Sequence, residues 1–154
     1  MAIEDEIALL ERVPTLRRLG GGALRSLAIA AESLVLEAGD VLFSAGDTAD
    51  SAFVVQHGSL VLRPEGGGDE EAVAGPATLL GETALLAPTR RPATATAREP
   101  ARVLRLSRAT FLKILDSYPE AAQRLRELLA SRADQWAREM ENIRAALARG
   151  DRPL

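Results

Sequence analysis

Cysteine is absent from this 154-residue chain, and histidine occurs once, at His57. Without cysteine there are no disulfides, no thiolate zinc sites and no thiol nucleophiles, a composition that suits a reducing compartment. Serine hydrolases, imidazole acid–base enzymes and most zinc hydrolases need a placed imidazole with companions. His57 stands alone beside Gly58 and reads as a turn or surface residue. No catalytic set, no metal site and no cofactor is expected, so the chain reads as a non-enzyme. An apolar run of the ~20 residues that a membrane span requires is also missing. Met1–Glu6 is acidic and lacks the basic and apolar regions of an export signal. Nor is there an excess of positive charge: the formal net charge is -3 and the pI about 5.3, which disfavours general attraction to nucleic acid or to an anionic membrane. The expectation is one cytoplasmic domain able to bury its own core, acting as a binding or sensory module.

What is present falls into three stretches within that one domain, 1–154. Over 1–34, Ile3, Ile7, Leu10, Val13, then Leu24, Leu27 and Ala28 recur at three- and four-residue intervals and predict helices to about Leu34, broken at Pro14 and Gly20-Gly21-Gly22. Over 35–106, short apolar runs (Val35-Leu36, Val41–Phe43, Phe53–Val55, Leu60–Leu62, Ala72–Ala74) alternate with Gly39-Asp40, Gly46-Asp47, Gly58 and Gly66–Asp69. Two further strands are predicted near Thr94–Arg98 and Arg102–Leu106. Such spacing predicts a mainly β fold with flanking helices, an antiparallel jelly-roll barrel of about eight strands. Over 107–149 the period is helical again, with Ser107 as N-cap and Pro119 opening a second helix of ~30 residues. Ala122, Leu125, Leu129, Ala133, Trp136, Met140, Ile143 and Leu147 form one stripe on it, with coiled-coil spacing from Leu129 onward. At about 45 Å this helix outreaches a small barrel, so a homodimer through 119–149 is expected over packing on its own barrel.

The densest chemistry lies in Gly81-Glu82-Thr83-Ala84-Leu85 and the following Arg90-Arg91-Pro92-Ala93-Thr94. A carboxylate accepts from ribose hydroxyls. Arg and the free N–H groups at a helix start donate to phosphate. A cyclic nucleotide carries both groups. Alone, Glu82 with an Arg would read as an ordinary ion pair between strands, and position leaves Arg90 and Arg91 both open as the phosphate ligand.

The order of these motifs resembles the cyclic nucleotide-binding domain of catabolite-activator-type regulators, protein kinase regulatory subunits and cyclic-nucleotide-gated channels. Leu9-Leu10 to Leu19, Gly39–Phe43, Ala45–Asp47, Phe53–Leu60, the segment 81–94 as the phosphate-binding cassette, Phe111 and Tyr118-Pro119-Glu120 carry the likeness. By that resemblance Glu82 accepts the ribose 2′-hydroxyl, Arg91 (three before Thr94) pairs with the cyclic phosphate, and Gly81 allows close approach. The N–H groups around Thr83, Ala84 and Leu85 line the anion site, while Leu79, Leu80, Leu85 and Leu86 fill the core.

Two departures stand out. Pro92 follows Arg91 where relatives commonly carry Ser, Thr or Ala. Proline has no N–H to donate and no hydroxyl for a guanine, which tilts the expected ligand toward cAMP over cGMP and weakens binding. Ala77-Thr78 stands where many relatives have Gly-Asp, and only a turn should change. Trp136 is open between two roles: stacking on the purine, or a seam position between helices. The functional expectation is a cAMP receptor domain that moves its C-terminal helices and acts on an unidentified effector, since no helix-turn-helix follows residue 150. The alternative is a docking or dimerisation module with a vestigial pocket, which Pro92 favours and the intact Glu82 and Arg91 oppose.

Overall fold

A computed structural model describes residues 3–66 and 71–150; of the expected glycine turn at 66–69, Gly67, Gly68 and Asp69 lie outside them. Three helices lead: α1 (Ile3–Glu11), α2 (Pro14–Arg17) and α3 (Gly21–Ala30). Ten strands follow: β1 (Glu32–Leu36), β2 (Val41–Phe43), β3 (Thr48–Ala49), β4 (Ser51–His57), β5 (Leu60–Pro64), β6 (Ala72–Ala74), β7 (Leu79–Leu80), β8 (Thr89–Arg90), β9 (Ala93–Ala97) and β10 (Ala101–Ser107). Between β7 and β8 a single 3-10 turn spans Glu82–Leu85. Two helices close the chain, α4 (Arg108–Ser117) and α5 (Pro119–Ala148).

The jelly roll with N-terminal helices and a long C-terminal helix forms as expected, but its ladders do not close into one barrel. One sheet has the order β1-β10-β4-β7, the other β2-β9-β5-β6, and β3 pairs with β8 as a separate ribbon. Every pairing is antiparallel among the described residues. The helical reading to Leu34 also needs correcting, because strand β1 starts at Glu32. Ala28, Ala31 and Leu34 continue a three-residue interval, but Ala31 is already extended, at φ -67 and ψ 141, and Leu34 and Leu36 turn inward at the period of a strand.

Strand β4 is the wall between two cores. Successive side chains of a strand point to opposite faces. Phe53 and Val55 therefore join Leu60, Ala74, Leu80, Ala95 and Val103 between the two sheets. Ala52 and Val54 join Leu104, Leu106, Phe111 and the leucines of α1 and α3 on the helical side. This split explains why six consecutive β4 residues, Ser51 to Gln56, are all buried. Gly58, at φ +76, turns β4 into β5, and a Cβ there would lie 2.4 Å from the Pro100 carbonyl oxygen. Only glycine fits both constraints.

The C-terminal helices are tied to this frame by side chains that donate to free carbonyls. Ser107 caps α4 by accepting from the Thr110 N–H at 3.2 Å. Arg108 Nη1 donates to the carbonyls of Ala49, Ala84 and Ala87 at 3.1–3.2 Å, fixing the 3-10 turn against the α4 start. Arg124 of α5 donates to the carbonyls of Arg18 and Leu19, each at 2.8 Å, just beyond the end of α2. Beyond Arg132, α5 is largely exposed, with Trp136 and Leu147 at 64% and 61%.

Candidate functional site

Strand β7 ends at Leu80, and Gly81 takes a left-handed conformation, φ +81, before the Glu82–Leu85 turn. That reversal aims the turn at the end of the sheet sandwich, opposite Arg91, where β8 passes toward β9. Between them lies a cavity of about 350 Å³ whose lining includes Phe43, Gly81, Glu82, Thr83, Arg91 and Pro92. The volume is within the range of small-ligand sites.

Arg91 dominates this cavity. It is 5% exposed, and its backbone is clamped by Arg91 N–H to the Asp47 carbonyl and Gly46 N–H to its own carbonyl, each at 2.8 Å. The guanidinium carbon lies 4.4 Å from the centroid of Phe43 and 5.4 Å from that of Phe53, two rings stacked at 5.8 Å. A cation over aromatic faces is held by the ring quadrupole, which partly replaces lost water. Nη2 donates a long 3.4 Å bond to Ser51 Oγ, and Nη1 is buried with no hydrogen-bond partner. Burial lowers its pKa from the usual arginine value; Asp50 and Asp47 oppose that shift and Arg105 adds to it. No carboxylate pairs with Arg91 among the described residues. A Cβ on Gly81 would stand 2.5 Å from Nη1, so the missing side chain is what admits the guanidinium.

Glu82 is the opposite case. It does not pair with Arg91: Thr15 Oγ1 of α2 donates to its Oε2 at 2.8 Å, and Arg132 Nη1 of α5 donates to its Oε1. Arg132 Nη2 completes a triangle by donating to Thr15 Oγ1 at 3.0 Å. The Glu82 side chain keeps 36% of its surface and still lines the cavity.

The remaining expected site residues divide. Gly81 and Thr83 line the cavity beside Glu82 and Arg91. Ala84 and Leu85 do not: their side chains are buried beneath the turn, and the Ala84 N–H is spent on the Gly81 carbonyl at 2.9 Å. Trp136 lies outside the cavity lining, on the exposed half of α5. Arg90 reaches the cavity mouth and donates to the Gly46 carbonyl at 3.0 Å. Sequence reading did not find Thr15, Ser51 or Arg132 as part of this site, nor the platform role of Phe43 and Phe53. Only the two phenylalanines carried a signal, as the aromatic residues in strands beside the glycine turns.

Comparison with known proteins decides the family. The model of the cyclic nucleotide-binding domain matches residues 33–118. The chain belongs to the cyclic nucleotide-binding domain family. Among solved structures, this domain is similar to the N-terminal domain of a transcriptional regulator from Streptomyces coelicolor A3(2), at 31% identity and a TM-score of 0.78. The match covers 86% of this chain and 94% of that one. It is also similar to a cyclic nucleotide-binding-like protein from Brucella abortus, at 38% identity and a TM-score of 0.65 over 73% of this chain and 98% of that one. Among curated proteins it resembles the lysophospholipase NTE1 of Chaetomium globosum, 28% identical over 129 residues, 82% of this chain. The chain spans less than a tenth of the length of the curated relatives it matches, 8% and 9%. The likeness is to one domain within them. Among the described residues no helix is long and apolar enough to cross a membrane.

Proposed function

We propose that this domain is a cyclic nucleotide receptor, with cAMP as its preferred ligand. One observation carries the reading: an arginine that lines a 350 Å³ cavity has a buried Nη1 with no hydrogen-bond partner, packed beside a glycine that makes room for it. A buried cation without a counterion is unfavourable on its own, and a monoanion such as a cyclic phosphate supplies what it lacks. Glu82 at the same cavity offers the acceptor that a ribose hydroxyl needs. Pro92, with neither N–H nor hydroxyl, favours adenine over guanine.

Occupancy is coupled to α5 in this reading, since Glu82 is in contact with Arg132 of that helix. Trp136 lies one turn, about 6 Å of rise, beyond Arg132, so stacking on a purine at the cavity mouth is within its reach if α5 bends toward the roll. The same exposed half of α5 forms the homodimer seam in this proposal. Met140, Ile143 and Leu147 extend the stripe, and Glu139 and Arg144 occupy flanking positions that pair across a parallel two-helix seam. The receptor is cytoplasmic and non-catalytic, and its output passes to an effector protein.

Calorimetric titration with cAMP and cGMP tests the ligand. Binding of cAMP at micromolar concentration, weaker for cGMP and lost in Arg91→Met, is the expected result. No binding of either nucleotide up to millimolar favours the docking module, with Pro92 as the disabling change.

A further inference from the structure

Thr15, Glu82 and Arg132 come from the first, middle and last parts of the chain, with sequence separations of 67 and 117 between the hydrogen-bonded pairs. Chance alone brings such residues together on many protein surfaces, but two features set this cluster apart. Thr15 is 5% exposed, and its hydroxyl both donates to Glu82 and accepts from Arg132, so that hydroxyl is committed to the cluster rather than to water. The floor beneath it is apolar, made by Leu85, Leu86, Phe111, Leu125 and Leu129. A carboxylate over such a floor has few other ways of being held.

We infer that Thr15 and Arg132 are positioning residues that set Glu82 for a ribose 2′-hydroxyl, so that discrimination between ribo and 2′-deoxyribo nucleotides depends on α5 being docked. The inference rests on the receptor reading of the same cavity. Its physical basis is twofold. An ionised carboxylate accepts about four hydrogen bonds, and the triangle uses two, one on each oxygen. The remaining lone pairs are free for a hydroxyl entering the cavity, with the rotamer already fixed. Arg132 also balances the charge of Glu82, so that a cyclic phosphate approaching Arg91 does not meet an uncompensated carboxylate in the same small space. Loss of Arg132 leaves Glu82 free to turn to solvent, where the ribose hydroxyl finds it only at an ordering cost.

The test is a titration of the full chain with cAMP and with 2′-deoxy-cAMP, for the wild type, Arg132→Ala, Arg132→Lys, Thr15→Val and Thr15→Ser, with thermal melts to confirm folding. The wild type should prefer cAMP by roughly tenfold, the value of one hydrogen bond to a charged acceptor. Arg132→Ala should shrink that preference to about threefold or less, weakening 2′-deoxy-cAMP less than cAMP, because the deoxy ligand makes no bond to Glu82 and loses only the charge balance near Arg91. Arg132→Lys should recover part of the preference, Thr15→Ser should keep it, and Thr15→Val should reduce it. An unchanged preference in a folded Arg132→Ala, or equal weakening of both nucleotides, overturns the positioning role. The two readings fail separately: a wild type that binds cAMP through Arg91 but shows no dependence on Arg132 refutes this inference alone, whereas no cAMP binding refutes the receptor with it.

Discussion

Replacing Arg91 by methionine separates a ligand-binding arginine from a structural one. The substitution keeps an unbranched side chain against Phe43 and Phe53 and removes the guanidinium with its charge and its bond to Ser51. In the ligand-free protein the change forfeits a cation–π contact of about 0.5–2 kcal/mol. It also removes a desolvated cation that has one 3.4 Å hydrogen bond and no carboxylate partner. Apolar replacement of buried charge is commonly neutral or stabilising by about 1–4 kcal/mol. The two effects together give an expected stability between about 2 kcal/mol lower and about 3.5 kcal/mol higher. Binding should move the other way. A fork of two charge-assisted bonds to a phosphate is worth about 3–6 kcal/mol, so cAMP affinity should fall by roughly a hundredfold or more. Urea unfolding reads the first quantity and calorimetry the second. A variant that loses more than about 2 kcal/mol of stability while holding its cAMP affinity within threefold would refute the reasoning, because that is how an arginine with hidden structural partners behaves.

Four further outcomes are expected. Gly81→Ala places a Cβ 2.5 Å from Arg91 Nη1 at a φ of +81, so it should cost about 1–2 kcal/mol of stability and weaken cAMP binding about tenfold or more by pushing the guanidinium aside; calorimetry and urea melts read both. Gly58→Ala should cost more than about 2 kcal/mol in a urea titration, since its Cβ would meet the rigid Pro100 carbonyl at 2.4 Å as well as a left-handed φ. The Asp50 carboxyl is held below its ordinary 3.8 by a hydrogen bond from Ser51 and the charge of Arg105, against the opposing effect of burial. A lowered folded pKa means stability that is present above 3.8 and lost as pH falls through the lower folded value, so Asp50→Asn should flatten the acid limb of a stability–pH profile below about pH 4. Trp136→Glu should convert the proposed α5 dimer to monomer in sedimentation velocity while leaving the melting temperature of the roll nearly unchanged, because Trp136 is 64% exposed.

The roll was legible in the sequence where its signals are local. Glycines with fixed positive φ, such as Gly39, Gly46 and Gly58, stand where the turns were expected, and Val103 to Leu106 and Phe53 to Val55 read as strands because branched and aromatic residues cluster there. Less legible were features whose cause is nonlocal. The end of α3 has no local mark, since Ala28, Ala31 and Leu34 keep a helical interval; only pairing with β10 selects the strand. The ribbon of β3 and β8 has two residues in each strand, too few for any pattern. At the site, Gly81, Glu82, Thr83 and Arg91 could be picked out because they sit in one short segment. Ala84 and Leu85 entered through their N–H groups, by resemblance; the 3-10 turn sends both side chains inward, as the core role read for Leu85 requires, and spends the Ala84 N–H on the Gly81 carbonyl. Thr15 and Arg132 belong to α2 and α5, and nothing in either segment marks them as neighbours of residue 82.

The two charges of the cassette are therefore held by different physics, and the difference bears on function more than either charge alone. An ion pair between strands, the ordinary use of a glutamate near an arginine, would have joined Glu82 to Arg91 and left neither with spare capacity. Instead Glu82 is matched by Arg132 and Thr15, while Arg91 is surrounded by Phe43, Phe53 and the backbone of Gly81, with the nearest carboxylates acting on it only at a distance. A fold gains nothing from keeping a cation so poorly matched: the buried Nη1 forgoes its water without replacing it, and the lowered pKa of Arg91 reflects the same loss. In the proposed receptor the arrangement becomes favourable when an anion of cavity size binds. Its free energy of binding then includes the relief of a cost already present in the empty site, and that gives Arg91 its leverage over affinity.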